Sequence, residues 1–315
     1  VPMFHANAWG MPYTAAMTGA ALVLPGPHLD PASLLELIVG ERVTFAAGVP
    51  TVWLGLLQAL DAAPGRHDLS ALRSLGVGGA APPPAMIRGF SERHGVPVCH
   101  GWGMTELSPV GSIASLPAAL DAASDDAKLA YVARQGRPLP FVEIRARGDD
   151  GLVPWDGRTL GELEVRGPWV ASAYHDCPEG AARFTDDGWF RTGDRGTLDE
   201  DGYLTVTGRL KDIIIRSGEK ISARELEDLL ARHDRVAAAA VVACPDRRTG
   251  ERAVAWVVPR HGVEPPTLDE LGRFLTDLGL SSRKLPEQLE LVDALPLTAS
   301  GKVDKPDLRA RTPQH

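Results

Sequence analysis

The chain has 315 residues, 44 % of them apolar and 23 % charged. These are ordinary globular values that exclude disorder, collagen and coiled coil as its general character, and the length implies two or three domains. Lys and Arg total 33 against 41 Asp and Glu, a net charge of −8, and with no long basic run this excludes a nucleic-acid backbone as the natural partner.

In chain order, Asp30-Pro31 supplies a cap and a first-turn proline, and Leu34, Leu35, Leu37 and Ile38 form an apolar face ending at Gly40, which predicts a helix. Val43–Ala47 reads as a strand, Val52–Leu60 as a helix, Leu72–Val77 as a strand, Pro84–His94 as a helix and Val96–Cys99 as a strand. Strands alternating with helices predict a mostly parallel sheet with flanking helices. Ala118–Lys128, rich in Ala and Asp, reads as a solvated helix.

From about residue 135 the period changes. Val142–Ala146, Leu160–Arg166 and Tyr203–Thr207 are short strands between Gly, Pro and Asp, and Asp199-Glu200-Asp201-Gly202 is a hairpin signal. They predict a small β-barrel-like subdomain. In the last block, Ser222-x-x-Glu225 and Thr267-x-x-Glu270 fit the capping box, and Val236–Ala243 and Ala253–Val258 are strands around the polar turn Pro245–Glu251. The expected organisation is an α/β part over 1–134, its β subdomain over 135–211, and an α+β C-terminal domain over 212–315.

Cys99, Cys177 and Cys244 make no CxxC pair, which points to a reduced, cytoplasmic protein without disulfide framework or zinc knuckle. No apolar run approaches the roughly 18–20 residues of a membrane span. The longest, Ala20–Leu24 and Val236–Cys244, have the length of buried strands. Val1-Pro2-Met3-Phe4 does not read as the charged n-region and hydrophobic h-region of a signal peptide, and Thr312-Pro313-Gln314-His315 does not read as a peroxisomal or ER address. A first residue other than Met, within sequence of structured character, is expected of a fragment.

The sequence contains no G-x-S-x-G, H-E-x-x-H or G-x-x-x-x-G-K-[ST] motif. Gly76–Ala81 follows a strand and imitates a dinucleotide fingerprint, but three prolines follow it and no acidic residue stands about 20 positions on. Four other segments are sharper. Gly101-Trp102-Gly103-Met104-Thr105-Glu106 follows a strand. Its aromatic face can stack a base, its Thr can bond a phosphate and its Glu can hold Mg²⁺; the alternative is a buried corner Trp beside a solvated Glu. Thr192-Gly193-Asp194 offers an acceptor-only carboxylate for a ribose, or a plain turn. In Gly208-Arg209-Leu210-Lys211-Asp212 a forked Arg can reach the same ribose and Asp212 marks a hinge, unless the segment is a charged linker. Leu295–Lys302 places a lysine on a small-residue loop, able to carry charge to a phosphate or simply exposed.

In combination these segments decide. With Phe4–Trp9 (FHANAW), Gly78–Ala80 (GGA), Gly161–Pro168 (GELEVRGP) and Ser217–Ser222 (SGEKIS), the whole chain resembles the acyl-adenylate-forming superfamily of acyl-CoA synthetases, luciferases and peptide-synthetase adenylation domains. The resemblance implies two half-reactions: a carboxylate attacks the α-phosphate of ATP to give acyl-AMP and pyrophosphate, then the C-terminal domain rotates and the thiol of coenzyme A takes the acyl group.

The resemblance also implies residue roles. Trp102 would stack on adenine, with Gly78, Gly79 and Ala80 along the ring; Gly103, Met104 and Val206 join the nucleotide site. Thr105 would contact the α-phosphate and Glu106 would bind Mg²⁺. Asp194 and Arg209 would hold the ribose hydroxyls of ATP or AMP, and Lys302 would bridge carboxylate and α-phosphate during adenylation only. Asp212 would be the hinge, and Ser217, Gly218 and Glu219 would line the pantetheine tunnel, although many relatives have glycine where Ser217 stands.

His5, Trp9 and Gly101 would form the acyl pocket. The segment Val1–Trp9 is similar to that of medium- and long-chain fatty acyl-CoA synthetases, and amino-acid-activating relatives carry Asp at the place of His5, so a fatty acid is the expected substrate, with ATP and coenzyme A the other small-molecule partners; a homodimer is left open. The family's phosphate-gripping loop lies upstream of FHANAW and is missing, so the chain alone is expected to adenylate poorly. Rival readings are an aryl-acid or carrier-protein-loading ligase, a non-catalytic nucleotide- or acyl-binding remnant, and an oxidoreductase built on Gly76–Ala81.

Overall fold

The computed structural model describes residues 1–117, 120 and 122–312. Internal contacts divide the chain into two units. The first comprises Val1–Thr192, Gly196–Val206 and Ser300–Lys302; the second comprises Gly193–Arg195, Thr207–Ala299 and the chain from Val303 onward.

The first unit begins with a single turn, α1 (Ala6–Trp9), and the helices α2 (Met11–Thr18) and α3 (Pro31–Gly40). Asp30 caps α3 by accepting from the Ser33 amide at 3.0 Å, and Leu34, Leu35 and Ile38 face inward, as the spacing predicts. There follow β1 (Phe45–Gly48), α4 (Pro50–Ala62), β2 (Ser74–Val77), α5 (Pro84–Arg88), β3 (Val98–Gly103) and β4 (Val110–Ile113). After these come α6 (Asp125–Val132) and β5 (Arg137–Pro138).

These strands form one sheet in the order β1-β2-β3-β4-β5. β1, β2 and the first half of β3 run parallel. From Gly101 the pairing turns antiparallel, to β4 and then β5. Leu56, Leu75 and Phe90 have no exposed surface in the core beneath it, and each contributes about 1.5–3 kcal/mol by leaving water.

A second sheet is built from β6 (Glu143–Gly148), β7 (Gly151–Leu152), β8 (Gly161–Arg166), β9 (Phe190–Leu198) and β10 (Leu204–Arg209), in the order β10-β9-β8-β6-β7. It is open at β10 and β7, so the barrel-like expectation resolves into an open sheet. Leu163, Val165, Phe190 and Leu204 form its core face.

In the second unit, β11 (Ile213–Arg216), β12 (Glu219–Ser222), α7 (Ala223–Leu230), β13 (Val236–Asp246), β14 (Gly250–Pro259), α8 (Leu268–Asp277), β15 (Gln288–Leu291) and α9 (Lys305–Arg311) make an α+β layer. The sheet order is β12-β11-β14-β13, with β15 also on β14. Leu226 and Leu230 of α7 and Leu271 and Leu275 of α8, four residues apart on each helix, bury one face of it. Leu308 of α9 packs on the other face.

Thr267 and Glu270 close a full capping box, which holds the Glu270 carboxyl well below its ordinary value, at about 2. Ser222 caps α7 through its hydroxyl, while Glu225 reaches Lys284 instead, at 3.2 Å.

Three expectations change. Ala20–Leu24 is no strand: it adopts no regular structure and leaves Leu22 and Leu24 exposed, since apolar composition makes a strand only where a ladder partner exists. Pro84–His94 is α-helical only to Arg88 and then widens into a π turn over Gly89–Arg93. Thr192-Gly193-Asp194 lies inside β9 rather than at its end. Of the helix expected over Ala118–Lys128, residues 118, 119 and 121 lie outside the described residues, as does 313–315 of the C-terminal tetrapeptide; the helix that forms, α6, starts later, at Asp125 after its cap Ser124, and runs on to Val132.

Candidate active site

In an open α/β sheet, ligands bind beyond the carboxyl ends of the parallel strands. β1, β2 and the parallel half of β3 end at Gly48, Val77 and His100, and the residues that follow are Val49, Gly78 and Gly101. The Gly78 amide donates to the Gly48 carbonyl at 3.3 Å. A Cβ on Gly78 would stand 3.1 Å from Cη2 of Trp9 and 3.5 Å from the Gly101 carbonyl. Gly78 is therefore glycine because the Trp9 ring rests on its backbone.

Trp9 arrives there through an unusual turn. Ala6, Asn7, Ala8 and Trp9 all have φ between +46° and +55°, a left-handed helical turn that costs L-residues roughly 1–2 kcal/mol each. Strain of this kind survives only where surrounding structure enforces it, and it clusters at ligand sites.

Gly79 has φ +79°, and a Cβ there would come within 2.9 Å of the Lys302 Cε. The lysine loop belongs to the first unit by its contacts: the Thr51 hydroxyl donates to the Gly301 carbonyl at 3.3 Å, and Val49 lies against both Gly79 and Gly301. Partial burial first, and then the Lys302 ammonium, push the His5 pKa below its ordinary value. His5, Trp9, Gly78, Gly79, Gly101 and Lys302, expected from separate motifs, thus come together. Ala80 is exposed just beyond them. Val49 and Thr51 gave no signal in the sequence.

Trp102 is buried where its strand continues past the parallel part of the sheet. Gly101–Gly103 continue β3, and the Trp102 ring is 8 % exposed, packed in the core with Leu107 and Phe190 over the bare backbone of Gly111. This is the buried corner position that the sequence offers as the alternative to an exposed aromatic face. Gly103 leaves room for the backbone of Pro109, and Met104 packs on the same core.

Thr105 is exposed at the start of a one-turn 3-10 segment, and Glu106 follows, half-buried. The Tyr174 hydroxyl donates to Glu106 Oε1 at 2.6 Å; burial and then the Glu106 hydrogen bond push the phenol up to about 12. The Val206 amide donates to Gln135 Oε1 at 2.5 Å. Tyr174 and Gln135 were both missed, because each contact spans about 70 residues of sequence.

In the second unit, Asp194 is 4 % exposed and takes Nε of Arg209 at 2.9 Å. Asp212 bonds Arg309 of α9 at 2.8 Å. Ser217 and Gly218, at φ +49° and +84°, form the two-residue turn between the directly paired Arg216 and Glu219. Such a turn needs positive φ at both central positions, which makes Ser217 the strained member. Its amide donates to the Thr249 carbonyl at 2.8 Å.

A family model described as AMP-binding enzyme matches residues 1–175, and one described as AMP-binding enzyme C-terminal domain matches residues 225–302. The chain belongs to the AMP-binding enzyme family. It is 46 % identical to the long-chain-fatty-acid–CoA ligase of Thermus thermophilus, over 98 % of this chain and 57 % of that ligase. It is 44 % identical to the 3-methylmercaptopropionyl-CoA ligase of Ruegeria pomeroyi, over 98 % and 56 %. Among solved structures, ATP-bound MatB from Rhodopseudomonas palustris matches with a TM-score of 0.83 at 28 % identity, over 98 % of this chain and 58 % of that one. The chain thus spans little more than half the length of these relatives. Among the described residues no helix is long and apolar enough to cross a membrane.

The AMP-binding family implies a divalent cation with the nucleotide. Among the described residues no three His, Cys, Asp or Glu gather into a metal cage. Glu106 instead offers one carboxylate, on a turn beside the Thr105 hydroxyl. That donor set fits Mg²⁺, which prefers one or two carboxylates completed by phosphate and water oxygens.

Proposed function

We propose that the whole protein activates a fatty acid with ATP and transfers the acyl group to the thiol of coenzyme A. The convergence of Lys302, His5 and Trp9 on the Gly78–Gly79 backbone, at the carboxyl ends of parallel strands, supports this reading most directly. In the first half-reaction a carboxylate oxygen of the acid bonds to the α-phosphorus while the bond to the β-phosphate oxygen breaks, giving acyl-AMP and pyrophosphate. Lys302 would steady the negative charge shared by carboxylate and α-phosphate. Thr105 would bond a phosphate oxygen, and Asp194 with Arg209 would take the ribose hydroxyls.

Such a transfer needs positioning and charge neutralisation more than covalent chemistry from the protein. Magnesium held at Glu106 would supply part of that neutralisation when the nucleotide is bound. In the second half-reaction the thiolate sulfur bonds to the acyl carbon and AMP leaves. The turn at Ser217–Gly218 is the segment we assign to the pantetheine arm.

A fatty rather than amino-acid substrate is supported by His5, which offers no negative charge to a substrate ammonium, and by the name of the Thermus thermophilus relative. The test is acid-dependent ATP–pyrophosphate exchange and thioester formation by the full-length protein, on a panel of fatty, aryl and α-amino acids. The expected result is turnover of fatty acids with coenzyme A as acceptor. Preference for aryl acids, or for a carrier-protein thiol, would replace the fatty-acid reading; exchange with no acid would overturn the whole proposal.

A further inference from the structure

The short turn carrying Glu106 is tied to the segment 169–174 at three points. The Ala171 amide donates to the Glu106 carbonyl at 2.8 Å, the Ser108 hydroxyl donates to the Trp169 carbonyl at 2.9 Å, and the Tyr174 hydroxyl donates to Glu106 Oε1 at 2.6 Å. The first two bonds fix the turn's backbone. Only the third acts on the carboxylate.

The Tyr174 ring is itself held on several sides. It meets Phe184 edge-on at 6.0 Å and Phe190 at 6.4 Å, and Phe190 is 1 % exposed. Gly180 gives it space, since a Cβ there would stand 2.7 Å from the ring's Cδ2. With the ring fixed, the phenol has one proton to donate, and it goes to one oxygen of Glu106. Among the described residues no other side chain bonds that carboxylate, so Oε2 keeps its lone pairs while Oε1 is held on the Tyr174 side.

We propose that Tyr174 is a positioning residue that orients the Glu106 carboxylate for the divalent cation accompanying the nucleotide. The proposal rests on the metal role given to Glu106 under the proposed function and extends it to a residue outside the motif. Hydrogen bonds that orient a metal-binding carboxylate commonly matter about 10–100-fold in metal affinity. Tyr174 touches neither substrate nor metal; its effect runs through Glu106.

The experiment is binding of the Mn²⁺–ATP complex, read as the enhancement of the water-proton relaxation rate over that of Mn²⁺–ATP without protein, with full-length wild type, Y174F, E106Q and the double variant. Y174F keeps the ring and its packing, and a cooperative unfolding transition verifies its fold. The expected result is Mn²⁺–ATP binding weakened about tenfold in Y174F, and no additional loss when Y174F is added to E106Q, because two residues acting through one contact are not additive. Y174F binding as tightly as wild type overturns the proposal. So does an equal loss from Y174F in the E106Q background, which marks the phenol as a general structural element. Wild type that binds no Mn²⁺–ATP overturns the metal role of Glu106, and this inference with it.

Discussion

Glu106 and Glu164 are two glutamates of the first unit with opposite surroundings. Glu164 has no exposed surface and meets Arg145 at 2.6 Å, Arg147 at 3.1 Å and Arg191 at 3.7 Å. Arg145 continues to Asp187 at 2.9 Å, and Arg145 and Arg166 stack on Trp189 at 4.1 and 4.7 Å. Glu106 has one donor, Tyr174, on a turn open to solvent at Thr105. Residue type does not separate a structural carboxylate from one available for chemistry. What separates them is how many lone pairs the fold has already engaged.

The largest expected effect lies in the glycine–lysine cluster. Lys302→Ala should lower acid-dependent pyrophosphate exchange about 10²–10³-fold, the scale of removing one preorganised charge. It should spare thioester formation from preformed acyl-AMP; equal loss in both steps would show that Lys302 does not belong to adenylation alone.

Next in size, Glu164→Gln removes the charge that three guanidiniums share. The cost should be about 3 kcal/mol in urea unfolding, because breaking a buried ion cluster strands its partners. Glu106→Gln should shift the same transition far less while impairing metal–nucleotide binding. Similar stability losses from both would erase the contrast.

Gly79→Ala should destabilise by about 1–2 kcal/mol for its positive φ. It should also lower adenylation, because the new methyl meets the Lys302 Cε. Unchanged pyrophosphate exchange in a folded variant would mean that the lysine loop does not use this seat.

The smallest effect is a pH dependence in the Glu164 region. The Arg145 hydrogen bond, foremost, holds the Asp187 carboxyl at about 2, below its unfolded value. Its contribution is therefore present above about pH 4 and lost as pH falls toward 2. Asp187→Asn should flatten that part of the acid-unfolding curve; an unchanged slope would remove Asp187 from the lattice.

Much of this architecture was legible because some signals are local. Asp30 before Pro31, Thr267 before Glu270 and the leucines four apart in α7 and α8 act within one or two helical turns, where spacing alone fixes who meets whom. The glycines of Gly78–Ala80 and Gly101–Gly103 were legible as positions of close approach. What each approaches was not: Gly78 makes room for Trp9, Gly103 for the backbone of Pro109, and Gly111 for Trp102, which the sequence offered equally as a stacking face or a corner residue.

Local pattern thus determined α3, α4, α7 and α8, strands such as β2, β8, β13 and β14, and the identity of the motif residues, because capping, periodicity and φ preference operate over a few residues. The tertiary structure alone decided that Trp102 is packed, that Ala20–Leu24 finds no ladder, and that Tyr174 reaches Glu106 and three arginines reach Glu164. Those outcomes depend on which side chains distant stretches bring within hydrogen-bond reach, a distance that no spacing along the chain encodes.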